Sequence, residues 1–485
     1  MAEDFRMEKL EKLIELGVNP YPYSFERTHN SADISGEYDK HEGAEVAVAG
    51  RIMRLRSMGS IRFIDLFDRN GKIQVLIRDD NATKKSIEIA SLLDIGDIIG
   101  ARGIVTKTKK GEISVDAKEI SVLSKSLRSM PEKFHGLQDT ETRYRKRYLD
   151  FMMNPNARSF FSTRASILKY IRDFLDRRGY IEFETPVLQH VYGGAFAKPF
   201  ITRYNALDSN AYLRISDELY LKRLIIGGFE KVYEVSKDFR NEDIDSTHNP
   251  EFTQVELYEA YKDYEDYMGL TETLLGGMVK EIFGDTEVEY QGRSLSFKPK
   301  FKRIYWVDEL EKRTGIDLVG MSDKEASTIA KKEGLTTPVN NSIHVADALF
   351  DKYIRPDLFE PTFIVDFPSY MCPLAKDKRG RKGLSERFEL FIAGYEEGNC
   401  YSELTNPIEQ RKKFEQQVIE RKKGDYEAPP NDEDFLEAIE FGLPPTAGLG
   451  IAIDRLAMIL TNNTSLKEVI AFPAVRPEAS GKTQS

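Results

Sequence analysis

The chain runs to 485 residues, more than a single hydrophobic core normally organises, so two or more domains are expected. Hydrophobic residues at 40% and charged residues at 31% describe a soluble globular protein, and a net charge of -10 argues against indiscriminate binding to nucleic acid. Two cysteines, Cys372 and Cys400, and six scattered histidines exclude a disulfide framework and a zinc-ligand spacing; both thiols read as buried or incidental.

Met1–Leu16 is charged throughout and carries no apolar core of a signal peptide, and no later stretch approaches a membrane-spanning run. A cytoplasmic protein without a membrane partner is expected. Residues 1–44 read as a helical extension. From 45 to 123, strand-like runs at Val46–Leu55, Ile61–Phe67, Lys72–Ile77, Ile98–Thr106 and Ile113–Leu123 are separated by turn signals and by one helix-like span, Ala82–Leu93. Five strands with a helix after the third predict an OB-fold β-barrel. On its second and third strands Phe63 and Gln74 suit the stacking and reading of unpaired bases, although a strand Phe is as readily a core residue. Arg51–Arg56, Lys107–Lys110 and Arg143–Arg147 are the basic patches available to RNA, the second of which reads by default as a solvated hairpin turn. A polar linker, 124–147, leads to a larger domain at 148–478, and 479–485 reads as a flexible tail.

The larger domain mixes helical and strand patterns without βαβ regularity, and contains neither a P-loop nor a GxGxxG fingerprint. Its richest stretch runs from Phe239-Arg240-Asn241-Glu242 through His248-Asn249-Pro250-Glu251-Phe252 to Gln254, Glu256 and Tyr258. A two-residue period places Arg240 and Glu242 on one face of a first strand, against Val235 and Phe239; on a second strand Phe252, Gln254, Glu256 and Tyr258 oppose Thr253, Val255 and Leu257. This is the pattern of an antiparallel hairpin whose polar face is either solvated or gathered around a ligand. A second such stretch is Glu396-Glu397-Gly398-Asn399-Cys400-Tyr401-Ser402-Glu403, where Asn399, Tyr401 and Glu403 share a face and Cys400 and Ser402 oppose them. In Ser216-Asp217-Glu218-Leu219, Glu218 reads as a first-turn carboxylate behind an N-cap serine.

The hairpin resembles motif 2 of the class II aminoacyl-tRNA synthetases. Arg178-Gly179-Tyr180 with Thr185-Pro186 resembles their motif 1, a dimerisation element, and Gly448-Leu449-Gly450-Ile451-Ala452-Ile453-Asp454-Arg455 resembles motif 3. All three stand in the family's order, and nearly the whole chain resembles the lysine-specific branch. The resemblance implies an α+β multidomain protein, with an OB-fold β-barrel ahead of a catalytic domain built on a mainly antiparallel sheet flanked by helices. It also implies the roles of residues. Arg240 contacts the α-phosphate and the amino-acid carboxylate, Glu242 and Asn249 fix the adenine edge, and Phe252 stacks beneath it. Arg455 covers the other face and reaches the γ-phosphate, and His248 faces the leaving pyrophosphate. Arg240, Arg455 and His248 form the catalytic set. Glu396 and Glu403 are the implied Mg²⁺ ligands beside the co-substrate ATP. The choice of Glu396 over Glu397 rests on counting back from Asn399, across a Gly398 that interrupts the strand period. Phe63 and Gln74 become anticodon readers, and Gly193-Gly194-Ala195 a small-residue loop that puts Gly194 beside the substrate backbone.

Glu218, Glu256, Tyr258 and Glu403, with Asn399 and Tyr401 nearby, make a pocket suited to a cation rather than an acid, and lysine fits it. Tyr401 stands where the family most often has Phe. The expected function is ATP-dependent formation of lysyl-adenylate and transfer to the 3′-terminal adenosine of tRNA(Lys), by a homodimer. Rival readings are an aspartyl- or asparaginyl-tRNA synthetase, which should offer cationic or amide groups where this chain has acids, and a non-tRNA amino-acid ligase, which should lack the barrel. A non-catalytic RNA-binding module should have lost Arg240, Glu242 or Arg455.

Overall fold

The computed structural model describes residues 2–131, 137, 139–335, 341–422 and 429–477. It divides into two compact units, Met1–Leu137 and Gln138–Ser485. The expected tail at 479–485 lies outside the described residues.

In the first unit five strands, Glu45–Met58, Ile61–Phe67, Lys72–Arg78, Ile98–Lys107 and Ile113–Ser124, form a barrel, with a helix at Lys84–Ser91 between the third and fourth. The first strand pairs antiparallel with both the second and the fourth, and a short parallel ladder, Gln74 opposite Ser114 to Leu76 opposite Asp116, closes the ring. Alternation decides what faces in: Ile64, Leu66, Ile73, Val75 and Ile77 fill the core, so Phe63, opposite Leu76, and Asp65, opposite Gln74, share the outer face. Phe63 is therefore not a core residue. The extension belongs to this unit. Its helix Ala2–Glu15 sends Leu13 into the barrel core, and Arg6 donates to the carbonyl oxygens of Ser126 (2.8 Å) and Ile95 (3.0 Å).

The second unit holds an eight-stranded sheet. In spatial order its strands are Lys302–Tyr305, Thr362–Pro368, Leu384–Ile392, Tyr395–Ser402, Thr446–Ala452, Glu251–Ala260, Lys231–Phe239 and Ile181–Glu182. All neighbours are antiparallel except the two edge pairs, which are parallel. One face is sealed by the helices Pro155–Asp176, Tyr264–Phe283 and Ile453–Leu460, which pack Ile171, Leu274, Met278 and Leu456 against Val255, Leu257, Cys400, Leu449 and Ile451. Since strand side chains alternate, the residues between these apolar ones are directed to the opposite face, where the candidate site lies. Among the described residues no helix is long and apolar enough to cross a membrane.

The joining stretch is shorter than the sequence reading has it. Helices at Thr140–Arg145 and Arg147–Met153 already belong to the second unit, because Arg147 is fully buried against Asp150 (2.8 Å) and donates to the Ala471 carbonyl, while Arg143 pairs with Asp150 and Glu468. The basic patch expected at Arg143–Arg147 is thus turned inward, with these two guanidinium groups engaged by carboxylates.

Candidate active site

The expected antiparallel hairpin forms, with Lys231 opposite Glu259 through Phe239 opposite Glu251. Its first strand stops sooner than the alternation suggests. Arg240 N still donates to Pro250 O (2.9 Å), but Pro250 has no N–H to return and Glu242 N turns back to Arg240 O (2.9 Å). Arg240 and Glu242 therefore reach the site from the loop rather than from the strand. The Arg240 guanidinium lies 5.0 Å from the centre of the Phe252 ring, and its buried Nε has no hydrogen-bond partner among the described residues. Such a donor is costly to leave unmet. Asn249 accepts from Ala474 N (3.0 Å), and exposed His248 holds Asp245 through Nδ1 (2.8 Å). Motif 3 is tied to the hairpin by buried Asp454, which accepts from Thr253 N (2.8 Å) and pairs with Arg164 (2.7 Å). Arg455 is aimed by a bond from Nη1 to the Glu396 carbonyl (2.8 Å).

The other end of the site is acidic and dry. Glu256 accepts from Ser216 Oγ (3.0 Å) and Tyr258 OH (3.0 Å), and Ser216 Oγ also receives the backbone N–H of Glu218 (3.1 Å) at the start of the helix Glu218–Ile226. Glu218 and Glu403 are both buried, and the Nζ of Lys222, itself 1% exposed, pairs with an oxygen of each. Burial, then the nearby charges of Glu218 and Asp238, push Glu256 up to about 8. Burial also pushes Glu403 up to about 8, against the pull of Lys222. The floor is shaped by glycine: a Cβ on Gly448 would collide with the Tyr258 ring and Glu403 Oε1, and one on Gly194 would lie 2.8 Å from Ser216 Oγ.

Between the two ends runs the strand Tyr395–Ser402, which is bulged. Leu390 faces Gly398 but Phe391 faces Glu396, leaving Glu397 without a partner residue. Both acids line the cavity, and Glu397 is buried with neither carboxylate oxygen hydrogen-bonded among the described residues. Burial drives Glu397 well above the ordinary carboxylate range, with Arg455 opposing. Past the bulge, Arg387 Nε donates to Asn399 Oδ1 (3.2 Å) and Asn399 Nδ2 to Tyr401 OH (3.0 Å), as the shared face predicts.

The same strand corrects one expectation. Glu396 and Glu403 are seven residues apart, roughly 20 Å of extended chain, whereas a Mg²⁺ ion needs its oxygens at about 2.1 Å. They cannot share an ion. The acid beside Glu396 is Glu389 on the adjacent strand, which burial and then the charge of Glu396 push up to about 8. Glu389 and Lys222 are the two residues that the sequence reading missed. Glu389 has the same seven-residue spacing to Glu396 that Glu396 has to Glu403, and Lys222 looks like an ordinary i,i+4 helix partner of Glu218.

The cavity joining both ends measures about 380 Å³ and is lined by Gly194, Glu218, Arg240, Glu242, His248, Asn249, Phe252, Glu256, Tyr258, Glu396, Asn399, Tyr401 and Arg455. Of the residues expected in the catalytic domain, Glu403 alone is absent from its wall, lying just behind Tyr258 and Gly448.

Residues 139–476 match the family of class II tRNA synthetases for D, K and N, and residues 46–123 match the OB-fold nucleic acid binding domain. Over 99% of its length the chain is 45% identical to 97% of a lysine–tRNA ligase of Halalkalibacterium halodurans. It is 48% identical to one of Moorella thermoacetica, over 98% of the chain and 97% of that relative. The chain belongs to the class II tRNA synthetases, in the branch of the lysine–tRNA ligases. A further relative, from Clostridium perfringens, is 47% identical over 98% of the chain and 96% of its own length. In this synthetase motifs 2 and 3 meet at the cavity wall from adjacent strands of one sheet, while motif 1 lies at the sheet's edge strand.

Proposed function

We infer that the protein is an ATP-dependent lysine–tRNA ligase. The observation that carries the reading is one cavity with opposite chemistry at its ends: Arg240 and Arg455 at one, Glu218 and Glu256 beside Tyr258 at the other, with Glu403 just behind them. Lysine carries the complementary pair, a carboxylate at one end and an ammonium at the other. A substrate with an acidic side chain would place a third like charge among carboxylates already pushed above their usual range. That disfavours aspartate, and it leaves the amide of asparagine without a cation to satisfy it.

In this reading Arg240 spans the α-phosphate and the attacking carboxylate, so that its charge meets the negative charge that develops between them; the unpartnered Nε is then satisfied by substrate. Phe252 and Arg455 take the two faces of adenine, and Glu242 and Asn249 its edge. His248 closes over the pyrophosphate side. Glu396 and the neighbouring Glu389, which the charge of Glu396 helps push up, suit a divalent cation, and Mg²⁺ bound there would neutralise charge on the phosphates. Phe63 and Gln74, on the outer face of the barrel, read the anticodon of tRNA(Lys). Ile181 on the edge strand and Val187 and Leu188 beyond it are exposed apolar residues next to the motif 1 sequence, and we assign them to a homodimer interface. Two free, buried thiols suit a reducing cytoplasm.

Amino-acid-dependent pyrophosphate exchange, run with each standard amino acid, tests the reading. Lysine should drive exchange far above aspartate and asparagine, and a preference for either of those would overturn it.

A further inference from the structure

Lys222 stands out among the groups that the proposed mechanism does not use. It is 1% exposed, it lies one turn along its helix from Glu218, and its ammonium pairs with both Glu218 and Glu403. Burial alone would pull a lysine down, yet Glu218 and then Glu403 outweigh it and hold Lys222 above its ordinary value, so the cation is permanent. Tyr258 faces it from the neighbouring strand, its ring centre 6.0 Å from Nζ, and Glu256 and Tyr401 lie near the same two acids. Without Lys222, Glu218 and Glu403 would stand near Glu256 with no ammonium between them. A site of that kind takes up protons before it takes up substrate, because like charges in a dry environment do not all ionise.

We propose that Lys222 is a positioning residue for lysine recognition: a resident ammonium that occupies the inner side of Glu218 and Glu403, stands as their counter-charge, and leaves only their outer side to a single substrate ammonium. It acts through the two acids and does not itself touch substrate. The proposal rests on the lysine-ligase reading above.

The test uses the full chain as wild type, Lys222→Met and the double variant Glu218→Gln/Lys222→Met, with KM for lysine and KM for ATP measured separately in pyrophosphate exchange between about pH 6 and 9. Lys222→Met should raise KM for lysine by about 30-fold or more at neutral pH, and KM for ATP by no more than about threefold. The defect should deepen as pH falls, since protons then compete with lysine for Glu403, and shrink as pH rises. The double variant, which removes one acid with the cation, should recover at least about a tenth of the wild-type kcat/KM for lysine and a flatter pH profile. An unchanged lysine KM in Lys222→Met, or a loss that is equal at every pH and no smaller in the double variant, would make Lys222 a packing residue and overturn the proposal. If Lys222→Met does not fold, the double variant decides: charge balance predicts a folded enzyme with a near-normal pH profile, whereas packing predicts that it fails as the single variant does. Wild-type enzyme that shows no lysine-dependent exchange would refute the underlying reading instead, and the two failures are distinguishable.

Discussion

Gly448→Ala adds one methyl group to the floor of the acidic end. Its Cβ would fall inside van der Waals contact of the Tyr258 ring and of Glu403 Oε1, both fully enclosed and neither at the end of a flexible side chain free to swing away. The backbone at Gly448 lies outside the left-handed region, so the strand itself accepts alanine and the whole effect is one of space. Overpacking of this kind costs about 1–3 kcal/mol. If the methyl group displaces the two side chains that meet the substrate ammonium, most of that cost appears in lysine recognition, a drop of roughly 5- to 150-fold in kcat/KM for lysine. KM for ATP should stay within about twofold, because the adenine contacts lie at the other end of the cavity. Pyrophosphate exchange with lysine and ATP varied independently measures both, alongside thermal melting. Normal lysine kinetics in a folded variant would show that Tyr258 and Glu403 do not meet the substrate.

Arg240→Ala should lower exchange by about 10²–10³-fold while tRNA affinity, read by filter binding, stays near wild type; the reverse pattern would move Arg240 out of the ATP site. Glu389→Gln should raise the Mg²⁺ concentration needed for half-maximal exchange and leave KM for lysine nearly unchanged, whereas Glu403→Gln should do the opposite; a Mg²⁺ response confined to Glu403→Gln would restore the original ligand assignment. Phe63→Ala should leave exchange intact and cut tRNA charging by roughly 5- to 150-fold, through the loss of a stacking platform worth about 1–3 kcal/mol. If the mutant still discriminates anticodons as wild type does, base reading belongs to other residues. The free enzyme should also lose stability as pH rises. Glu256, Glu389 and Glu403 sit near 8 when folded against an ordinary 4.5, so between those values the folded state holds more protons than the unfolded one and ΔG of unfolding falls with pH. Melting temperature without ligands should therefore decline from about pH 5 to pH 8, and saturating lysine should offset part of the decline; a curve that rises across that range would show these acids to be already neutralised.

The barrel was legible in the sequence to within a few residues at each strand end, because its strands alternate cleanly and its turns are marked. The hairpin and the shared face of Asn399 and Tyr401 followed from the same two-residue period. Phe63 was undecidable from its own strand, and only pairing with Leu76 places it outside the core. Pairing Glu396 with Glu403 on one ion failed because a residue list carries no distances: the two lie along one chain stretch, which looks like proximity on paper and is seven residues of extended backbone. Lys222 escaped notice for the opposite reason, since a Glu-Lys pair one turn apart is the commonest decoration of an exposed helix, and only burial gives it meaning.

The bulge at Glu397 turns the strand Tyr395–Ser402 into a ruler. The carboxylate at the phosphate end and the one at the ammonium end hang from the same covalent backbone, so the span between them is counted in residues and does not vary with how helices or loops settle. No loop closure can draw the two carboxylates together without breaking the ladder that holds the strand between its neighbours. A single insertion or deletion between Glu396 and Glu403 would shift one of these carboxylates along the strand and turn it to the opposite face.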